Sequence, residues 1–297
     1  MRCTRRGFVA ACGGAVLLAP LGRGACEGEA SLVGKLGVTT GSFVRHLSAE
    51  AAPGKVRLVD LVKILSSELD LRVIDLMTAT LPSLEAEYLS ELRAAAERAG
   101  CVLTNLKMNQ QGLELGSPEL SVREQAIAEY QRTIEAAALL GVRWVRPLPG
   151  AMRPNLQTLA ASYRELIDFA KPRGISLLIE NYGWLSSDPA AIPTLIELAG
   201  SGLAAQPDTG NWADDTARFA GLARAFPVAV SCDFKARQLG PQGEHAAYDL
   251  KRCFDVGWEA GFRGPWCFEY THPNLAGVYA GLALLRDKLR GWIAERG

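Results

Sequence analysis

Gly174-Ile-Ser-Leu-Leu-Ile-Glu180-Asn-Tyr182 and, one helix-length further on, Gly202-Leu-Ala-Ala-Gln-Pro-Asp208-Thr-Gly-Asn211 decide how this chain folds. In each, a glycine announces a short apolar run that ends on an acid. The glycine suits the position just past a helix, where the left-handed backbone carries no Cβ penalty. The run itself is strand-sized. The same alternation extends in both directions. Strand-like runs occupy Lys35–Val38, Leu71–Leu76, Val102–Lys107, Val142–Arg146, Ser176–Glu180, Ala204–Asp208, Val228–Phe234 and Trp266–Glu269. Between them, Leu84–Ala99, Glu124–Leu140 and Leu156–Ala170 repeat apolar residues at helical spacing. Gly100 and Gly141 mark further helix ends, and Asn155 and Asp188-Pro189 mark helix starts.

Strand and helix alternating eight times imply a parallel sheet, and eight parallel strands close most readily into a (β/α)8 TIM barrel. An open, doubly wound sheet is the weaker reading, because no Gly-x-Gly-x-x-Gly loop follows the first strand. With no linker-like stretch, residues 31–297 read as one α/β domain behind an N-terminal segment, residues 1–30. The 297 residues, 48% hydrophobic and 22% charged, suffice for a large core. Lys plus Arg and Asp plus Glu number 32 each, so no global field favours nucleic acid, an anionic membrane or a charged polymer. A small, neutral or weakly charged substrate fits better.

The N-terminal segment carries Arg5 and Arg6 before an apolar, small-residue run from Val9 to Leu21, with no acid before Glu27. Such a layout is that of an export signal, and the run is shorter than the ~20 residues of a spanning helix. Thr4-Arg5-Arg6-Gly7-Phe8 resembles the twin-arginine signature. The resemblance implies a periplasmic protein, with the twin-arginine translocase as a partner during export. It also implies that the protein is exported folded and carrying a cofactor. Ala25-Cys26 admits lipoprotein anchoring, which Arg23 weakens, whereas Gly28-Glu29-Ala30 suits a small-x-small peptidase site. Beyond the signal, Cys101, Cys232, Cys253 and Cys267 are too scattered for a zinc framework or disulfide scaffold and are expected to be buried thiols.

In this fold the site lies at the carboxyl ends of the strands. Four strands deliver an acid there: Glu180, Asp208, Asp233 and Glu269. Four clustered carboxylates repel one another unless protonated or bridged by a cation. Each alone could be a helix cap or a salt-bridge partner, and Asp233 could simply hold Lys235 on the same side of its strand. Together they suggest one divalent ion, Mn²⁺ or Mg²⁺ rather than Zn²⁺, since no thiolate or histidine cluster accompanies them. Lys107 and Asn109 share a face at the end of the third strand, and Arg146 ends the fourth. They would either hold a substrate group or neutralise the acids. Trp184 and Trp212, just beyond two of the acids, are candidates for an apolar wall against a sugar ring.

The blocks Leu178-Ile-Glu-Asn-Tyr, Asp208-Thr-Gly-Asn, Cys232-Asp-Phe-Lys and Phe268-Glu resemble the metal-ligand strands of the sugar phosphate isomerase/epimerase superfamily, the xylose isomerase-like barrels. The resemblance implies that Glu180 and Glu269 bind the metal and transfer protons on opposite faces of a sugar, with Asp208 as a ligand. Asp233 stands where the family carries a histidine ligand and Asn211 where many relatives carry a second histidine. Lys235 falls on the lysine of the family's His-x-Lys. The implied chemistry is removal of the proton next to a sugar carbonyl and its return from the other side, giving epimerisation or isomerisation. The same first step could expel a β-substituent, giving a lyase or dehydratase. A silent sugar-binding barrel is the non-catalytic alternative. Members of the family often associate, so the resemblance also admits a homo-oligomer. Only three histidines occur, which argues against the histidine-rich DNA-repair members of the superfamily.

Overall fold

All eight expected runs are strands in the computed structural model, which describes residues 32–297. The expected export signal and Cys26 lie outside the described residues. The strands are β1 (Leu36–Thr39), β2 (Val73–Met77), β3 (Val102–Met108), β4 (Trp144–Pro147), β5 (Ser176–Ile179), β6 (Leu203–Ala205), β7 (Cys232–Ala236) and β8 (Trp266–Tyr270). The helices that follow them are α1 (Leu58–Ser67), α2 (Ala86–Arg98), α3 (Leu120–Leu140), α4 (Leu156–Ala170), α5 (Ala191–Ala199), α6 (Asp215–Ala225), α7 (Leu250–Glu259) and α8 (Leu275–Ala294). Every pairing is parallel, in the order β6-β5-β4-β3-β2-β1-β8-β7.

The outer strands of that order meet. Ala205 bridges Ala229 and Asp208 bridges Asp233, both parallel. Across this seam Asp233 N donates to Pro207 O at 2.9 Å and Thr209 N to Asp233 O at 2.9 Å. The sheet therefore closes into a (β/α)8 TIM barrel whose thinnest joint lies between β6 and β7. Pro207 has no N–H to donate there, which is why β6 is short.

The helices form where the spacing predicts, and α4 has the expected bounds. Its cap is Asn155, whose side chain accepts from the backbone N–H groups of Gln157 and Thr158. Gly141 and Gly174 end the preceding segments at φ 71° and 70°, the left-handed region that a side chain disfavours. Two boundaries differ from expectation. Asp188 accepts from Ala190 N at 3.1 Å, so it shapes a turn and α5 begins only at Ala191. Phe226–Val228, with Pro227 at its start, forms a 3₁₀ turn, and β7 begins at Cys232 rather than Val228.

Among the described residues the four cysteines are free and buried, as expected. No helix of the described residues is long and apolar enough to cross a membrane.

Candidate functional site at the carboxyl rim

The four strand-end acids gather at one end of the barrel. Oxygens of Glu180, Asp208 and Asp233 lie within 4.8 Å of one another, and all three residues are buried. Asp208 is placed by backbone. Gly210 N and Asn211 N donate to its Oδ1 at 2.6 and 2.9 Å, while Asn181 brackets its main chain, donating to Asp208 O and accepting from Asp208 N. Asp233 is placed by charge, with Lys107 Nζ 2.5 Å from its Oδ1. Each aspartate thus has one oxygen held, while its other oxygen, Oδ2, is buried without a hydrogen-bond donor. The group of three could hold a metal ion, which would satisfy buried carboxylate oxygens that accept no hydrogen bond.

Glu180 is held on both sides, by Arg146 on Oε2 and by Asn211 Nδ2 at 2.7 Å from Oε1. Glu269 stands apart from the group of three. Its Oε1 lies 2.5 Å from Lys235 Nζ, which is also 3.7 Å from Asp208 Oδ2. Asp233 therefore does not hold Lys235, its neighbour on the strand. Lys107 reaches Asp233 across the barrel, and Lys235 turns to Glu269.

Burial pushes Asp208 up to about 7; Lys235 opposes the shift, and Glu180 and Glu269 add to it. Burial likewise drives Asp233 well above the ordinary carboxylate range, although Lys107 opposes it. Burial would raise Glu269 too, but Lys235, Lys107 and Arg146 outweigh that and hold it below its usual value. Glu269 is thus an ionised carboxylate beside an ammonium, whereas the two aspartates are poised to accept a proton or a cation.

The remaining sequence candidates divide. Lys107 and Arg146 are buried and ion-paired, so they neutralise acids and are not free to meet a substrate. Asn109 accepts from Arg146 at 2.5 Å, and so orients that arginine. Trp212 is 5% exposed and packs on Gly221, where an added Cβ would meet its ring at 2.0 Å. It is chiefly a core residue that touches the cleft at one edge. Trp184 packs against the core and does not line the cleft. Besides Trp212, the aromatic side chain that does is the exposed Tyr182, two positions beyond Glu180.

The cleft has two parts. A cavity of about 510 Å³ is lined by Gln110, Tyr182, Ser186, Asn211 and Arg237 among others. A second, of about 430 Å³, is lined by Lys235, Arg237, Glu269 and Thr271 among others. Sequence reasoning missed Arg237, two positions past Lys235, although the period-two rule that linked Asp233 and Lys235 reaches it as well. It also missed the polar layer beneath the acids. There Asp75 accepts from Thr104 Oγ1 at 2.6 Å and from Gln206 Nε2 at 2.7 Å, and Asn105 donates to Gln206 at 2.8 Å. The histidines are occupied elsewhere. Nε2 of His46 meets His272 O, His245 accepts from Arg237 N, and His272 accepts from Asn274 N.

Comparisons with known proteins agree with this fold. No curated relative matches the chain. Among solved structures, D-psicose 3-epimerase with D-tagatose from Clostridium cellulolyticum H10 superposes with a TM-score of 0.68 at 13% identity, over 87% of this chain and 98% of that one. A xylose isomerase domain protein from Planctomyces limnophilus gives 0.61 at 16%, over 88% and 96%. A xylose isomerase-like TIM barrel protein from Mycobacterium smegmatis in complex with magnesium gives 0.60 at 16%, over 88% and 97%. At such identities the likeness is one of fold. The family model described as xylose isomerase-like TIM barrel matches residues 65–292, which takes in all four strand-end acids. The chain belongs to the xylose isomerase-like TIM barrel family.

Proposed function

We propose that this protein is a divalent-metal-dependent sugar isomerase or epimerase that transfers a proton next to a carbonyl. The observation that carries the reading is the buried group of Glu180, Asp208 and Asp233, with oxygens within 4.8 Å of one another and with Asp208 Oδ2 and Asp233 Oδ2 accepting no hydrogen bond. Glu180, Asp208 and Asp233 would hold the ion, and oxygen donors alone suit Mn²⁺ or Mg²⁺. A divalent ion bound there would polarise a sugar carbonyl and its neighbouring hydroxyl, acidifying the C–H between them. Of the four acids, Glu269 is the one that lines an open cavity, so it is the group placed to take that proton. Lys235, 2.5 Å away, keeps it ionised and fixes its orientation. Glu180 serves as the partner acid on the other side, its two oxygens fixed by Arg146 and Asn211. Two structurally similar proteins are described as D-psicose and L-ribulose 3-epimerases, which supports sugars as the substrate class. The proposal also places the mature barrel in the periplasm, on the strength of Thr4-Arg5-Arg6-Gly7-Phe8.

The test is deuterium exchange. With Mn²⁺ supplied, a panel of ketoses and oxidised glycosides in deuterated water should show label at one carbon by NMR, and Glu269→Gln should reduce it by about 10²-fold or more. Loss of a β-substituent instead of exchange would identify a lyase. A sugar that binds without exchange under every metal supplied would identify a silent binding barrel.

A further inference from the structure

The mouth beside Glu269 holds one cation more than its acids require. The charged residues lining the cavity of about 430 Å³ are Lys235, Arg237 and Glu269. Lys235 and Glu269 neutralise each other at 2.5 Å, which leaves Arg237. Unlike Lys107, Arg146 and Lys235, Arg237 makes no ion pair with a carboxylate among the described residues. Its guanidinium is nevertheless fixed, because Nη2 donates to Gly210 O at 2.9 Å, and its backbone N–H donates to His245 Nε2 at 3.0 Å. That single tether leaves further N–H groups of the fork unused. Arg237 lines both cavities, so it stands where the space over Glu269 opens into the cleft of Asn211, Tyr182 and Glu114; the last makes no ion pair with Arg237 and accepts instead from Ala151 N at 2.9 Å.

We infer that Arg237 is the anchor for a carboxylate on the substrate, and that the sugar turned over here is a sugar acid. This rests on the isomerase reading and narrows its substrate class. An exposed arginine with free N–H groups pairs with a planar carboxylate through two parallel hydrogen bonds. A surplus of one positive charge matches a monoanion. A phosphate ester, near two negative charges at neutral pH and close to Glu269, would leave charge uncompensated. With its acid group on Arg237, the rest of the sugar would occupy the space that Arg237 shares with Glu269.

The test compares D-fructose, D-fructuronate and D-fructose 6-phosphate, three 2-ketoses that differ only at the sixth carbon, by titration calorimetry with the Mn²⁺-supplied protein. Fructuronate is expected to bind at least about tenfold more tightly than fructose, and the phosphate no more tightly than fructuronate. Arg237→Gln should shrink the carboxylate advantage to less than twofold. Arg237→Lys, which keeps the charge and loses the fork, should retain part of it. The inference is overturned if fructose matches fructuronate, if the phosphate is preferred, if R237Q keeps the advantage, or if the folded protein binds none of the three. Deuterium exchange on the same samples separates the two readings. Exchange without a carboxylate advantage removes the anchor and leaves the isomerase, whereas an advantage without exchange in any sugar does the reverse.

Discussion

At the scale of single residues, the pair Lys107–Asp233 sets this site apart. Both side chains are almost wholly buried, at 2% and 0% exposure, with 2.5 Å between Nζ and Oδ1. Removing one member of such a pair strands a charge, whereas replacing both with apolar groups is often neutral. Lys107→Met should therefore cost about 3–5 kcal/mol in urea unfolding, and Lys107→Met with Asp233→Leu should recover most of it. A single variant as stable as the parent would show that Asp233 is held by something else. Asp208 makes a second prediction at this scale. Its carboxyl is pushed up to about 7, so in the metal-free fold it keeps a proton that the unfolded chain has released. Its contribution to stability therefore falls as pH rises from the ordinary carboxylate range to about 7. A cation must displace that proton, so Mn²⁺ affinity should rise with pH toward 7 by at least roughly tenfold per unit, Asp233 adding a second proton to displace. Calorimetry at pH 5.5, 6.5 and 7.5 checks this, and a flat profile excludes Asp208 as a titrating ligand. The acids themselves were legible in the sequence because strand ends point to one rim. Lys107 and Arg146 were legible as possible counter-ions, but their pairing was not, since Lys107 and Asp233 are 126 positions apart and only barrel closure brings them together.

At the scale of elements, strand and helix alternation was readable because apolar runs and helical spacing are local patterns, punctuated by left-handed glycines such as Gly141 and Gly174. The misplaced start of β7 has the opposite cause. Phe226-Pro227-Val228 is apolar enough for a strand, but Pro227 sits at the start of a 3₁₀ turn and the chain straightens only after it. That turn is part of the seam between β6 and β7, where two isolated bridges replace the five-residue register of β7 on β8. Asp208 and Asp233 face each other across this seam, and Glu180 extends from the neighbouring β5. A cation held by the three would clamp β5, β6 and β7. Mn²⁺ at a hundred times its dissociation constant should then add about 2.7 kcal/mol. For a domain of this size that raises Tm by roughly 5–10 °C. Asp208→Asn should abolish the shift. Hydrogen exchange should slow most at the amides of Thr209 and Asp233, which cross the seam. An unchanged melting curve with metal present would remove the clamp.

At the scale of the whole molecule, the barrel and the proposed export route bear on each other through the cysteines. Cys101, Cys232, Cys253 and Cys267 are buried free thiols, two of them on β7 and β8, the strands that carry Asp233 and Glu269. A chain threaded unfolded into an oxidising compartment would expose all four to disulfide formation before the barrel closed. A chain that closes first, in a reducing compartment and with its ion in place, shields them. The twin-arginine route carries folded proteins, so the signal resemblance and the buried thiols favour the same order of events. Replacing Arg5 and Arg6 with Lys should therefore leave the protein folded, metal-loaded and reduced in the cytoplasm, with the periplasmic fraction lost on cell fractionation. Redirecting the wild-type barrel through an unfolded-chain export signal should yield mixed disulfides, detectable as thiol loss on mass spectrometry under denaturing conditions. If the double lysine variant still reaches the periplasm in full, or the redirected barrel arrives with four free thiols and normal metal content, folding before export is not what this molecule requires.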